Sequence, residues 1–155
     1  MDICDLLSTE CVVENLNVAS KKQALQELAK RAAAATGLEE RRVFDVLLER
    51  ERLGSTGVGA GVAIPHGKLA GLDRLYGMFA RLERPIDFDS IDDEPVDLIF
   101  LLLAPEGAGA DHLKALARVS RLLRDRQTCE KLRGSDKADA LYGLLTEAQT
   151  SSHAA

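Results

Sequence analysis

The sequence predicts an α/β fold, a mixed β-sheet flanked by α-helices. Three observations lead there. Residues 96–103 (VDLIFLLL) are almost wholly apolar, as a central strand covered on both faces must be. Other strand-like segments cluster with it in the middle of the chain. On either side of them, apolar residues recur at helical spacing.

Taken in order, residues 11–14 read as an edge strand. Ser20 is a capping residue for a helix over 21–35, whose apolar face is Ala24, Leu25, Leu28, Ala29 and Ala32. Gly37 ends it. A second helix runs from 38 to about 50, with Val43, Val46 and Leu47 inward. It closes on the charged run 49–52 (ERER), where arginine suits the negative end of the helix dipole. A glycine-rich loop follows. Residues 62–64 form a short strand stopped by Pro65, and 75–82 (LYGMFARL) form another. The central strand over 96–103 closes at Pro105, and 106–109 (EGAG) form a loop. Asp111 then caps a helix carrying Leu113, Leu116, Ala117, Val119 and Leu123. Two more helical segments, 128–132 and 136–145, complete the chain. The reading is a single domain over 1–148, with a frayed polar tail over 149–155 that includes His153.

Composition narrows the function. A chain of 155 residues can bury a core without staples. Its net charge of -5 opposes broad nucleic-acid binding, which needs a basic face. No apolar run approaches the length of a membrane span. The acidic start (MDIC) has no basic region of the kind a signal peptide opens with. Cys4, Cys11 and Cys129 are widely spaced and form no CxxC pair, so a disulfide framework and a zinc site are both disfavoured. The expected setting is the cytoplasm, with reduced thiols.

The chemistry concentrates in residues 54–68, GSTGVGAGVAIPHGK. The glycines read GxGxG rather than the GxGxxG of a dinucleotide loop. Lys68 is followed by Leu69, not by the Ser or Thr of a Walker loop. What remains is His66, held between Pro65 and Gly67. An imidazole nitrogen is a competent nucleophile near neutral pH and can form a phosphohistidine. Phosphoryl transfer would need positive charge and hydrogen-bond donors around the phosphoryl oxygens. Arg50 or Arg52 can supply a planar fork for them. His112, at the start of a helix, lies where backbone N–H groups favour an anion. The residues alone leave plainer roles open: a turn histidine, a solvated helix end and a surface residue of a first helical turn. Arg118, Arg121, Arg124 and Arg126 read as a solvated helix face, and residues 92–94 (DDE) as a turn.

The block GSTGVGAGVAIPHGK resembles the signature of the enzyme IIA domains of the phosphoenolpyruvate phosphotransferase system. It is most similar to the nitrogen-regulatory branch of the mannitol/fructose-type domains. Residues 85–89 (PIDFD), 95–98 (PVDL) and 111–113 (DHL) match in order, and the resemblance runs from about 3 to 145. It implies the mixed sheet and flanking helices of that fold. It implies that His66 accepts a phosphoryl group on Nε2 from a phosphohistidine on an HPr-like carrier. His112 and Arg50, rather than Arg52, fall on the positions that stabilise that group. No metal, nucleotide or other cofactor is implied. The implied partners are the HPr-like carrier and target proteins, such as transporters or kinases, controlled by phosphorylation state. Two alternatives stand beside this regulator: a sugar-uptake IIA that passes phosphate to a IIB, and a non-catalytic binding module. Lys114, two residues after His112, replaces a further histidine found in some relatives.

Overall fold

The computed structural model describes residues 2–154 in backbone and 2–147 in side chains. The expected mixed sheet flanked by helices is present. A short helix α1 (Ile3–Leu6) and a 3-10 turn (Thr9–Cys11) lead into β1 (Val12–Leu16), which pairs in parallel with β5 (Tyr76–Ile86) at one edge of the sheet. The centre is β6 (Val96–Pro105), antiparallel to β5. On its other side lie β3 (Val62–Ala63) and β4 (His66–Leu69), both parallel to it, and β2 (Gly57–Gly59) pairs antiparallel to β3. Val96 and every residue from Leu98 to Ala104 are buried, so both faces of β6 are covered, as its composition requires.

Helix α2 (Lys21–Thr36) starts where Ser20 Oγ accepts a hydrogen bond from the Gln23 N–H. It stops at Gly37, whose left-handed backbone (φ 79°) glycine adopts freely. The five apolar residues expected on its inner face are all buried. Helix α3 (Glu40–Arg52) starts slightly later than expected and buries Val43 and Leu47. Helices α4 (Ala110–Arg124), α5 (Arg126–Arg133) and α6 (Ala138–Ala154) complete the cover. The frayed tail expected over 149–155 concerns side chains outside the described residues.

The structure corrects several expectations. The glycine-rich segment is not an open loop. Gly57–Gly59 and Val62–Ala63 form a two-residue β-hairpin whose turn residues, Ala60 (φ 56°) and Gly61 (φ 81°), both have positive φ. That geometry matches the twist of the flanking strands. Ala60 is kept in it by two contacts: its N–H donates to Asp92 Oδ2, and its carbonyl accepts from Arg133. Pro65 does not end the strand. The Leu102 N–H donates to the Pro65 carbonyl at 2.9 Å, and the chain resumes as β4 along the same side of β6. Proline is tolerated there because it stands just before the first residue of β4, where the pairing needs its carbonyl and not an N–H.

Asp111 does not cap α4. Gly109 does, at φ 53° and ψ -116°, and Asp111 sits inside the first turn. The inner face of α4 is His112, Ala115, Val119, Leu122 and Leu123, whereas Leu113 is 69% exposed and Ala117 is also exposed.

Candidate functional site

His66 opens β4 with its ring half-buried. Successive side chains of a strand point to opposite faces. Gly67 accordingly faces α3, where a Cβ would overlap Val46 Cγ1. The missing Cβ of Gly67 admits the helix that carries Arg50.

Both ring nitrogens of His66 are held. Nδ1 lies 2.9 Å from the Ile64 carbonyl oxygen. A carbonyl can only accept, so Nδ1 carries the proton and Nε2 keeps its lone pair. Arg50 Nε–H donates to that lone pair at 3.3 Å, while Arg50 Nη1 is anchored on the Gly54 carbonyl at 2.9 Å. Arg52, the other candidate, pairs with Glu49 at the exposed side of α3.

The turn after β6 brings α4 alongside. The His112 ring stands edge-on to that of His66, with centroids 5.6 Å apart and planes at 83°. His112 is buried, and among the described residues its Nε2 has no hydrogen-bond partner. Burial, more than any other influence, holds both imidazoles below the ordinary histidine pKa. For His66 the Arg50 guanidinium adds to this, while the Ile64 carbonyl and the Glu51 carboxylate oppose it. For His112 the charges of His66 and Lys68 add to it. Both rings are therefore neutral near pH 7, and Nε2 of His66 is available as a nucleophile.

The three expected site residues thus come together from three elements: Arg50 from α3, His66 from β4 and His112 from α4. Two neighbours, Glu51 and Thr56, escaped the sequence reading. Glu51, part of a charged helix end by sequence, is buried and accepts from both the backbone N–H and the hydroxyl of Thr56. The signal was helical phase: positions 43, 47 and 51 fall on one face, and the first two were already assigned inward. The same argument would have placed His112 inward with Ala115 and Val119.

Residues 5–148 match the family model described as phosphoenolpyruvate-dependent sugar phosphotransferase system, EIIA 2. The chain belongs to this family. Within this EIIA family it is similar to a nitrogen regulatory protein of Bradyrhizobium diazoefficiens, at 64% identity over 145 residues, covering 94% of this chain and 95% of that one. The crystal structure of nitrogen regulatory protein IIA-Ntr from Neisseria meningitidis superposes with a TM-score of 0.88 at 38% identity, covering 93% of this chain and 99% of that one. The mannitol IIA of Escherichia coli shares the fold, with a TM-score of 0.75 at 22% identity over 90% of this chain and 98% of that one. Among the described residues no helix is long and apolar enough to cross a membrane.

Proposed function

We propose that this EIIA-family chain is a phosphohistidine carrier of the nitrogen-regulatory branch, a single domain over 1–148, and that His66 is the phosphorylated residue. The observation that carries the reading is the clamp on the ring. With the Nδ1 proton committed to the Ile64 carbonyl, the lone pair of Nε2 faces a guanidinium.

In the step this supports, the Nε2 lone pair attacks the phosphorus of a phosphohistidine on an HPr-like donor. The donor's P–N bond breaks, and its electron pair returns to the donor imidazole. No water, metal or nucleotide enters the balance. Arg50 exchanges its contact with Nε2 for contacts with phosphoryl oxygens, where its fork offers paired donors. His112 stands edge-on to His66 with an unpartnered Nε2, which can donate to the same oxygens when it carries the ring proton.

The modified ring carries close to two negative charges where a neutral imidazole stood. A partner docked around His66 is then attracted or repelled according to its own charge, and phosphorylation state becomes a signal to target proteins such as transporters or kinases.

Labelling with radioactive phosphoenolpyruvate, the general enzyme I and an HPr-type carrier tests this. The expected result is an acid-labile phosphoryl group that is lost in His66→Ala. Arg50→Ala is expected to retain its fold and to accept phosphate about 10²-fold more slowly, the size of effect seen when one preorganised donor is removed. Undiminished label in His66→Ala would overturn the assignment. Rapid onward transfer to a sugar-specific IIB would move the chain from regulator to sugar-uptake IIA.

A further inference from the structure

The chemistry above uses Arg50 but leaves its neighbour unexplained. Glu51 is an acid at the end of α3 with its side chain only 3% exposed. A buried carboxylate persists only if it is paired and hydrogen-bonded. Glu51 has both: Lys21 Nζ at 2.9 Å, the Thr56 N–H at 3.0 Å, and the Thr56 hydroxyl. Lys21 is itself held over the Phe88 ring, 4.9 Å from its centroid, and reaches Asp89 at 3.6 Å.

The contacts continue beyond Thr56. Its carbonyl accepts the Ile64 N–H at 3.0 Å. The Ile64 carbonyl in turn accepts the Nδ1–H of His66 at 2.9 Å. The imidazole is therefore gripped at both nitrogens from consecutive residues of one helix. Arg50 reaches Nε2 directly, and Glu51 reaches Nδ1 through Thr56 and Ile64.

We propose that Glu51 is a positioning residue for the phosphoryl acceptor: through Thr56 and the Ile64 carbonyl it fixes the Nδ1–H tautomer and the ring orientation of His66, with Lys21 holding the carboxylate in place. Ring-nitrogen identity in histidine is set by the hydrogen bond that the other nitrogen makes, so the partner of Nδ1 decides whether Nε2 has a lone pair to offer. A Thr56 that slides relative to α3 carries Ile64 with it and releases that proton. The proposal rests on His66 being the acceptor, but the tautomer can be measured without any phosphoryl transfer.

The test is nitrogen-15 NMR of the unphosphorylated full chain labelled at histidine, above the histidine titration range, together with phosphoryl-transfer rates. Wild type is expected to show His66 predominantly as Nδ1–H. Glu51→Ala is expected to show a mixture with Nε2–H and to slow transfer by about tenfold to a hundredfold, the range known for partners that orient a metal-ligating histidine. Glu51→Gln can still accept from Thr56 and is expected to recover most of the tautomer preference. Should Glu51→Ala fail to fold, Thr56→Val leaves the ion pair intact and breaks only the hydroxyl link. It is then expected to shift the tautomer in the same direction, and Thr56→Ser to restore it.

A folded Glu51→Ala or Thr56→Val with the wild-type tautomer overturns the proposal, whatever its transfer rate. If wild type takes no label at all, the carrier reading fails instead, and the tautomer measurement still reports whether Glu51 sets the ring.

Discussion

Strand β6 and the stretch from Gly54 to Leu69 are adjacent in space and are held together in opposite ways. In β6 every residue from Leu98 to Ala104 is buried, and the strand has paired neighbours on both sides. Its stability is spread over many apolar contacts, none of which is unique. The stretch 54–69 is also paired with β6 through β3 and β4, but the geometry of its site depends on single contacts. Glu51 holds Thr56, Arg133 and Asp92 hold Ala60, Arg50 holds His66, and Gly67 leaves room for Val46. The lesson is one of redundancy. Losses in β6 should be large in stability and mild in chemistry, whereas losses in 54–69 should be the reverse.

The largest expected effect probes the first half of that contrast. Leu101→Ala removes a fully buried side chain at the centre of the sheet. It should destabilise the chain by about 2–5 kcal/mol, the lost transfer energy plus the cavity left behind. Urea denaturation reads the loss, and phosphoryl labelling of the fraction still folded should proceed at the wild-type rate. A folded Leu101→Ala that accepts phosphate slowly would show that β6 also sets site geometry, and the contrast would break.

A smaller effect probes the other half. Gly67→Ala drives a Cβ into Val46 Cγ1, and valine in a helix has little rotamer freedom with which to yield. Overpacking of this kind costs about 1–3 kcal/mol. Because α3 also carries Arg50, the push should separate Arg50 from His66 and slow transfer more than the stability loss alone explains. Val46→Ala in the same chain restores the space and should restore both quantities. If the double variant recovers stability but not rate, Gly67 acts on the site by another route.

The same contrast explains how much could be read before the fold was known. Helix α2 was legible because its signals are local: Ser20 at one end, Gly37 at the other and a five-residue apolar face between. Strand β6 was legible because burial on both faces leaves an unbroken apolar run. The hairpin β2–β3 and strand β4 were not, since two to four residues rich in glycine carry no alternation, and β4 is a strand only because distant β6 pairs with it. The site residues are candidates by their chemistry, but only the resemblance joins them: nothing in the spacing of Arg50, His66 and His112 requires them to meet. The exposed Leu113 and the buried Glu51 misled for a shared reason. Residue type was weighed above helical phase, and in both helices phase was correct.

The smallest expected effect concerns pH and links the two regions. Burial, assisted by Arg50 for His66 and by the charges of His66 and Lys68 for His112, holds both imidazoles below the ordinary histidine value. In the unfolded chain both return to about 6.5. Below that pH the unfolded state binds more protons than the folded state, so stability must fall as pH falls. The contribution is fully present above about 6.5 and is lost progressively as the pH drops toward the lower folded values. Folded-state carboxylates begin to protonate below about 5, so the informative window lies between about 5 and 7. Urea midpoints across that window should decline for wild type. They should decline less for His112→Ala, less again for the double variant His66→Ala/His112→Ala, and as steeply as wild type for Leu101→Ala. Comparable slopes in the double variant and wild type would mean that the two imidazoles titrate freely in the folded chain. The clamp on His66 would then be too loose to select Nε2, and the division between a redundant core and a site of single contacts would lose its functional side.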